Sequence, residues 1–121
     1  EIKDDGVESI ISIDDVTSTN YSVIEKLAPY GIGNPKPKFL FKDLSIFSIK
    51  EFGKEKNHLE LSFLNSKGKQ IKAISFFKTR ESFGHTLSVG ERINLIATFE
   101  KSTFGGRVEL RLRIIDILES D

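Results

Sequence analysis

The side chains in this sequence best suited to chemistry are cations interleaved with phenylalanine rings. A single strand of nucleic acid is held by a basic groove that follows its phosphates and by rings on which its bases stack, each stacked base being worth about 1–3 kcal/mol. Lys36, Lys38, Lys50, Phe52, Lys54, Lys56 and His58 form one such run. Lys72, Phe76, Phe77, Lys78 and Arg80 form a second, and Lys101, Phe104 and Arg107 a third. Lys54, Lys56, Lys72, Lys101 and Arg107 suit phosphates. Phe52 and Phe104 suit bases, because each sits at or near a turn, where burying a ring is hardest. Phe63 and Phe99 read as core. Phe76 and Phe77 are adjacent on a strand, so one is expected to face in and the other out.

Catalytic chemistry is missing. The chain has no cysteine, which removes a thiolate nucleophile and a thiolate-ligated metal. Its two histidines, His58 and His85, are far apart, and neither has a carboxylate at metal-ligand spacing. Asp4-Asp5 and Asp14-Asp15 are paired acids in an extension with no cleft around them, and read as solvated charge. There is no Gly-x-Ser-x-Gly elbow and no Gly-rich phosphate loop. Gly31-Ile32-Gly33 follows a helix rather than a strand, and two prolines follow it. These residues support no catalytic or metal site, so the chain is not expected to be an enzyme by itself.

Net charge is zero over 121 residues, yet its distribution is uneven. Glu1 to Pro35 holds two basic and seven acidic residues. Lys36 to Arg113 holds sixteen basic and eight acidic, a net +8, and the tail from Ile114 is net −3. Phosphates respond to the local field, whatever the total. A composition 38% hydrophobic and 30% charged argues for a folded domain rather than disorder. No stretch approaches the roughly 20 apolar residues of a membrane span, and no signal segment opens the chain. The lack of cysteine is compatible with the cytoplasm, the compartment expected here. A start at Glu1 without Met reads as a domain excised from something longer.

The elements that would position these side chains are mostly strands. Val7 to Ile13 reads as a short extended run. Ser18, Thr19 and Asn20 offer caps for a helix over Tyr21 to Ala28, which Pro29 and Gly31 stop. A stiff Gly/Pro loop then leads, from residue 36, into the main domain. Five strands follow: Phe39 to Phe52, Asn57 to Leu64, Gln70 to Phe77, Glu91 to Lys101 and Arg107 to Leu118. A short helix or loop is expected over Lys78 to Leu87, and a hairpin turn at Thr103-Phe104-Gly105-Gly106. On the first strand Leu44, Ile46 and Ser48 share one face, and on the last Val108, Leu110, Leu112 and Ile114 point inward. Strands in this order predict an all-β fold with a short leading helix, a five-stranded OB-type β-barrel. An SH3-like or other small barrel fits the same pattern.

One string is more specific: Leu27-Ala28-Pro29-Tyr30-Gly31-Ile32-Gly33-Asn34-Pro35-Lys36-Pro37-Lys38-Phe39. It resembles the segment entering the OB domain of RecJ-type single-strand-specific DNA exonucleases, with Tyr30 where that family has Phe. The resemblance continues at Asn57-His58-Leu59, Ala73-Ile74 and Gly106-Arg107, and runs from about Ser18 to the end. Phe104 stands near a position where the family often has Trp. Such enzymes degrade single-stranded DNA from the 5′ end in repair and recombination, using manganese or magnesium held by a DHH domain. The resemblance implies that residues 36–121 are the OB domain, a non-catalytic hold on single-stranded DNA. It implies that residues 1–35 end a DHHA1-type domain, and that the DHH and DHHA1 domains of the same chain are its partners. The alternative is a module that docks a partner protein or braces the nuclease domains.

Overall fold

The structure is a computed structural model, and it describes residues 7–27, 35–104 and 106–120; the side chain of Phe104 is outside that description. Among the described residues seven strands form: β1 (Val7–Ile10), β2 (Lys38–Ser45), β3 (Ser48–Phe52), β4 (His58–Leu64), β5 (Gln70–Ser75), β6 (Arg92–Phe104) and β7 (Arg107–Glu119). One helix, α1 (Ser18–Glu25), precedes the strands of the main domain. Thr17, rather than the residues after it, supplies its cap, its hydroxyl accepting from the Asn20 N–H. Part of the Gly/Pro loop, residues 28–34, lies outside the described residues.

The strands lie in one sheet in the order β1-β2-β6-β7-β5-β4-β3, with β1 and β3 at its edges. The protein is therefore mostly β with one helix, consistent with an OB-type fold, but the ladder has seven strands and is open where the sequence pattern predicts a five-stranded barrel. Two local events explain the count. The leading segment adds β1, paired in parallel with β2. The run from Phe39 to Phe52 divides at Ile46-Phe47. There the Ile46 N–H donates to the Glu91 carbonyl (2.9 Å), while the next N–H, of Phe47, donates to the Ser62 carbonyl (2.8 Å). One chain thus pairs with β6 through β2 and with β4 through β3.

Alternation places the core. Leu59, Leu61 and Phe63 are buried, as are Phe41, Ile93 and Leu95, in one cluster. Fully burying side chains of this size is worth about 1.5–3 kcal/mol each. Ile13 and Val16 of the leading segment join the cluster. Two inward assignments fail. Ser48 faces Ser62 across the outer face, and their hydroxyls hydrogen-bond. Val108 is 63% exposed, because the hairpin arm projects past the core. The phase of β7 also slips after Ile114, where the pairing shifts between Ile96 and Ala97, so Ile117 is buried while Ile115 and Leu118 are exposed. Residues 78–87 form turns, not a helix. Leu87 anchors them, fully buried, with its N–H on the Arg80 carbonyl (2.9 Å).

Candidate nucleic-acid interface

The outer face of the sheet is set by register. Phe52 pairs with His58, Lys50 with Glu60 and Ser48 with Ser62. Glu60 lies opposite Ile74, and Ser62 opposite Lys72. Ile74 in turn lies beside Arg113. Side chains that share a register and a pleat share a face. The face therefore carries rings at one end of β4 and cations toward the other. From the Phe52–His58 pair to the Leu64–Gln70 pair is six residues of β4, about 20 Å.

At the ring end the structure brings together Phe52, His58 and Phe76. Ring centroids are 5.4 Å apart for Phe52–His58, 6.3 Å for Phe52–Phe76 and 5.2 Å for His58–Phe76. The Arg113 guanidinium sits 4.7 Å from the centre of the Phe76 ring. It also reaches Glu100, which Arg111 contacts too, so two cations share one carboxylate. Lys54 and Lys56 are exposed in the turn that joins β3 to β4, beside the rings. That turn is tight because Gly53 has φ +95° and Lys56 φ +56°.

Phe76 and Phe77 depart from the expected in-and-out pair, since both are exposed, at 38% and 76%. Phe76 keeps the outer phase of Ile74. Phe77 would point inward if the strand continued, but its φ of +60° ends the strand and turns its ring out. Its N–H donates to His58 Nδ1 (3.0 Å), and its ring stands 4.8 Å from the imidazole.

At the other end, Lys72 and Arg107 line a groove of about 740 Å³ between the N-terminus of α1, the β4–β5 turn and the β6–β7 hairpin. Lys67 and Lys69 line it too. Glu109 approaches Lys72 at 3.7 Å. The remaining candidates lie around α1. Lys36 is exposed beside Tyr21 and Glu25, Lys38 opens β2, and Lys101 places its Nζ 5.0 Å from the centre of the Tyr21 ring. They are not part of the ring cluster. Phe104 pairs in β6 with Arg107, and its ring lies outside the described residues.

Arg113, Lys67 and Lys69 are additions to the residues that the sequence singles out. The lysines are legible as a cationic turn, Asn65-Ser66-Lys67-Gly68-Lys69, and Arg113 as an outward residue of an alternating strand. Among the described residues, no three His, Asp or Glu side chains approach closely enough to hold a metal. His58 is engaged by Phe77, and His85 by Glu91. Among the described residues, no helix is long and apolar enough to cross a membrane.

Known proteins share this chain's sequence and fold. A family profile described as the RecJ OB domain matches residues 7–116. The single-stranded-DNA-specific exonuclease RecJ of Bacillus subtilis (strain 168) is 24% identical over 115 residues, which cover 95% of this chain and 14% of that protein. Crystal structures of RecJ from Thermus thermophilus, in complex with Mg2+ and with Mn2+, superpose with a TM-score of 0.60 at 20% identity. Each match covers 84% of this chain and 14% of theirs. The chain thus spans about a seventh of the length of these relatives.

Proposed function

The chain belongs to the RecJ OB-domain family, and from that premise we propose that it is the non-catalytic, single-stranded-DNA-binding module of a RecJ-type exonuclease. The observation that carries this reading is the cluster of half-buried Phe52 and His58 with exposed Phe76, beside exposed Lys54 and Lys56. Rings next to cations at the edge of an open face are what an unpaired, charged strand needs. Bases stack on Phe52, Phe76 and Phe104. Phosphates are held by Lys54, Lys56, Lys72 and Arg107, and Lys36, Lys38 and Lys101 extend the positive field around α1.

In this reading the sheet rounds into an OB barrel at the Ile46-Phe47 corner. Among the described residues no donor set for a metal gathers, and in this reading the manganese or magnesium chemistry belongs to a DHH domain elsewhere in the parent protein. That parent degrades single-stranded DNA 5′ to 3′ in repair and recombination, in the cytoplasm. Residues 36–121 are the OB domain, and residues 1–35 close a DHHA1-like domain while packing Ile13 and Val16 into the same core.

A docking role has one observation in its favour. Phe47, Leu64 and Val89, at 47%, 42% and 61% exposure, line one groove that suits a neighbouring domain of the parent.

The test is an equilibrium titration of a labelled oligothymidylate against the chain, read by fluorescence anisotropy. Binding is expected at low salt and should weaken as salt rises, with a slope of log K on log salt near −3 if four phosphates are neutralised, at about −0.7 each. No binding at low salt contradicts the proposal.

A further inference from the structure

Phe77 is the most exposed ring among the described residues, at 76%. It is also one of three non-glycine residues there with positive φ, at +60°. A bulky side chain is rarely found in that conformation, because its Cβ crowds the backbone. The ring gains little burial in return. Such an outlier persists only where surrounding structure imposes it, and outliers of this kind gather at ligand sites.

The surroundings that impose it are explicit. On one side, His58 Nδ1 accepts the Phe77 N–H at 3.0 Å, which places the neutral imidazole's hydrogen on Nε2. On the other side, the chain is clamped at Arg80. The Arg80 N–H donates to Glu51 Oε2 on β3 (2.9 Å), and its guanidinium donates to the Leu87 carbonyl from Nε (3.1 Å) and Nη2 (2.9 Å). Leu87 is itself fully buried. The segment carrying Phe77 is therefore fixed at both ends, and the ring is presented rather than loose. It stands at 81° to the His58 imidazole in an edge-to-face contact, so at most one of its two faces is covered by that ring. A ring held in advance in an open position binds without the entropy cost of ordering it.

We propose that Phe77 is a base-stacking residue of this domain, held in a strained backbone conformation so that its ring meets an unpaired base beside the Phe52, His58 and Phe76 cluster. The inference rests on the single-strand-binding reading above. It adds a residue to that reading and gives the Phe77–His58 hydrogen bond a positioning role.

The experiment compares wild type with Phe77→Ala, Phe77→Gly and Phe77→Tyr. Each is titrated with an oligothymidylate and with an abasic sugar-phosphate oligomer of equal length, and unfolding midpoints are measured in parallel. Wild type is expected to prefer the base-bearing strand. Phe77→Ala and Phe77→Gly should bind it about 5- to 150-fold more weakly, the range of one lost stack, while abasic binding is unchanged. Phe77→Tyr should stay near wild type. Glycine accepts positive φ without strain, so Phe77→Gly should unfold no earlier than Phe77→Ala. If wild type binds and the Ala and Gly variants bind the base-bearing strand equally tightly, the proposal is overturned. Loss of both ligands together with a large fall in both unfolding midpoints assigns the ring to packing, and also overturns it. A wild-type chain that binds neither oligomer contradicts the single-strand-binding reading itself.

Discussion

Gly53 shows how narrowly the ring cluster is built. Its φ is +95°, and a Cβ placed on it would stand 2.6 Å from His58 Cδ2. Nothing larger than hydrogen fits unless the imidazole moves, and the imidazole is the acceptor that holds Phe77. Gly53→Ala should therefore do two things. Strain at the positive φ should cost about 1–3 kcal/mol of stability, measurable by denaturant unfolding. Displacement of His58 should weaken single-strand binding even at temperatures where the variant is folded. A variant as stable as wild type would mean that the turn relaxes freely. At this scale the sequence is partly readable. Phe52, His58 and Phe76 are visible as rings near strand ends. Phe77 is visible only as one of an in-and-out pair, because its outward direction depends on a single backbone dihedral that alternation cannot express.

At the scale of elements, strands β4 and β6 are legible from alternation, since the apolar phase of each is buried, although Ser62, Ile96 and Thr98 on the other phase are buried too. What escapes is every place where alternation is interrupted. The Ile46-Phe47 corner depends on two successive peptides turning to different neighbours, which is a matter of topology rather than of residue type. Residues 78–87 form turns, the second of the two forms, helix or loop, that their irregular pattern leaves open, with Ser82 Oγ accepting the Thr79 N–H (2.8 Å). The irregularity in β2 offers a measurable consequence. Asp43 sits there at φ +59°, where the pairing with β6 shifts. Its carboxylate accepts from the Ser120 hydroxyl (2.9 Å) and from Arg92 (2.8 Å), and these contacts hold its pKa below the ordinary carboxylate value. A group whose folded pKa is lowered stabilises the fold above its unfolded pKa, about 4, and that contribution is lost as pH falls through the folded value. The stability gap between wild type and Asp43→Asn should accordingly be open at about pH 6 and close on acidification below about pH 4. Unfolding midpoints across that range check it, and a gap independent of pH would contradict the assignment.

For the whole molecule, zero net charge conceals a division of labour. The cations concentrate between Lys36 and Arg113, and the acids before and after. The fold does not keep these parts separate, however. Asp14 of the leading segment accepts the Ser66 N–H (2.7 Å), tying that segment to the β4–β5 turn beside the basic groove. The sequence could not reveal this, because the two residues are 52 positions apart. Rings gather with Lys54, Lys56 and Arg113 at one end of the outer face, and a second set of cations lies toward the other, about 20 Å away, a span suited to the few nucleotides at the lower end of OB-fold site sizes. The most direct test is amide chemical-shift mapping of the isotope-labelled chain during titration with an oligothymidylate at low salt. The account predicts the largest shifts at Phe52 to His58, at Phe76 and Phe77, and along Arg107 to Arg113. Shifts confined to the groove of Phe47, Leu64 and Val89, or no shifts at all, would contradict it.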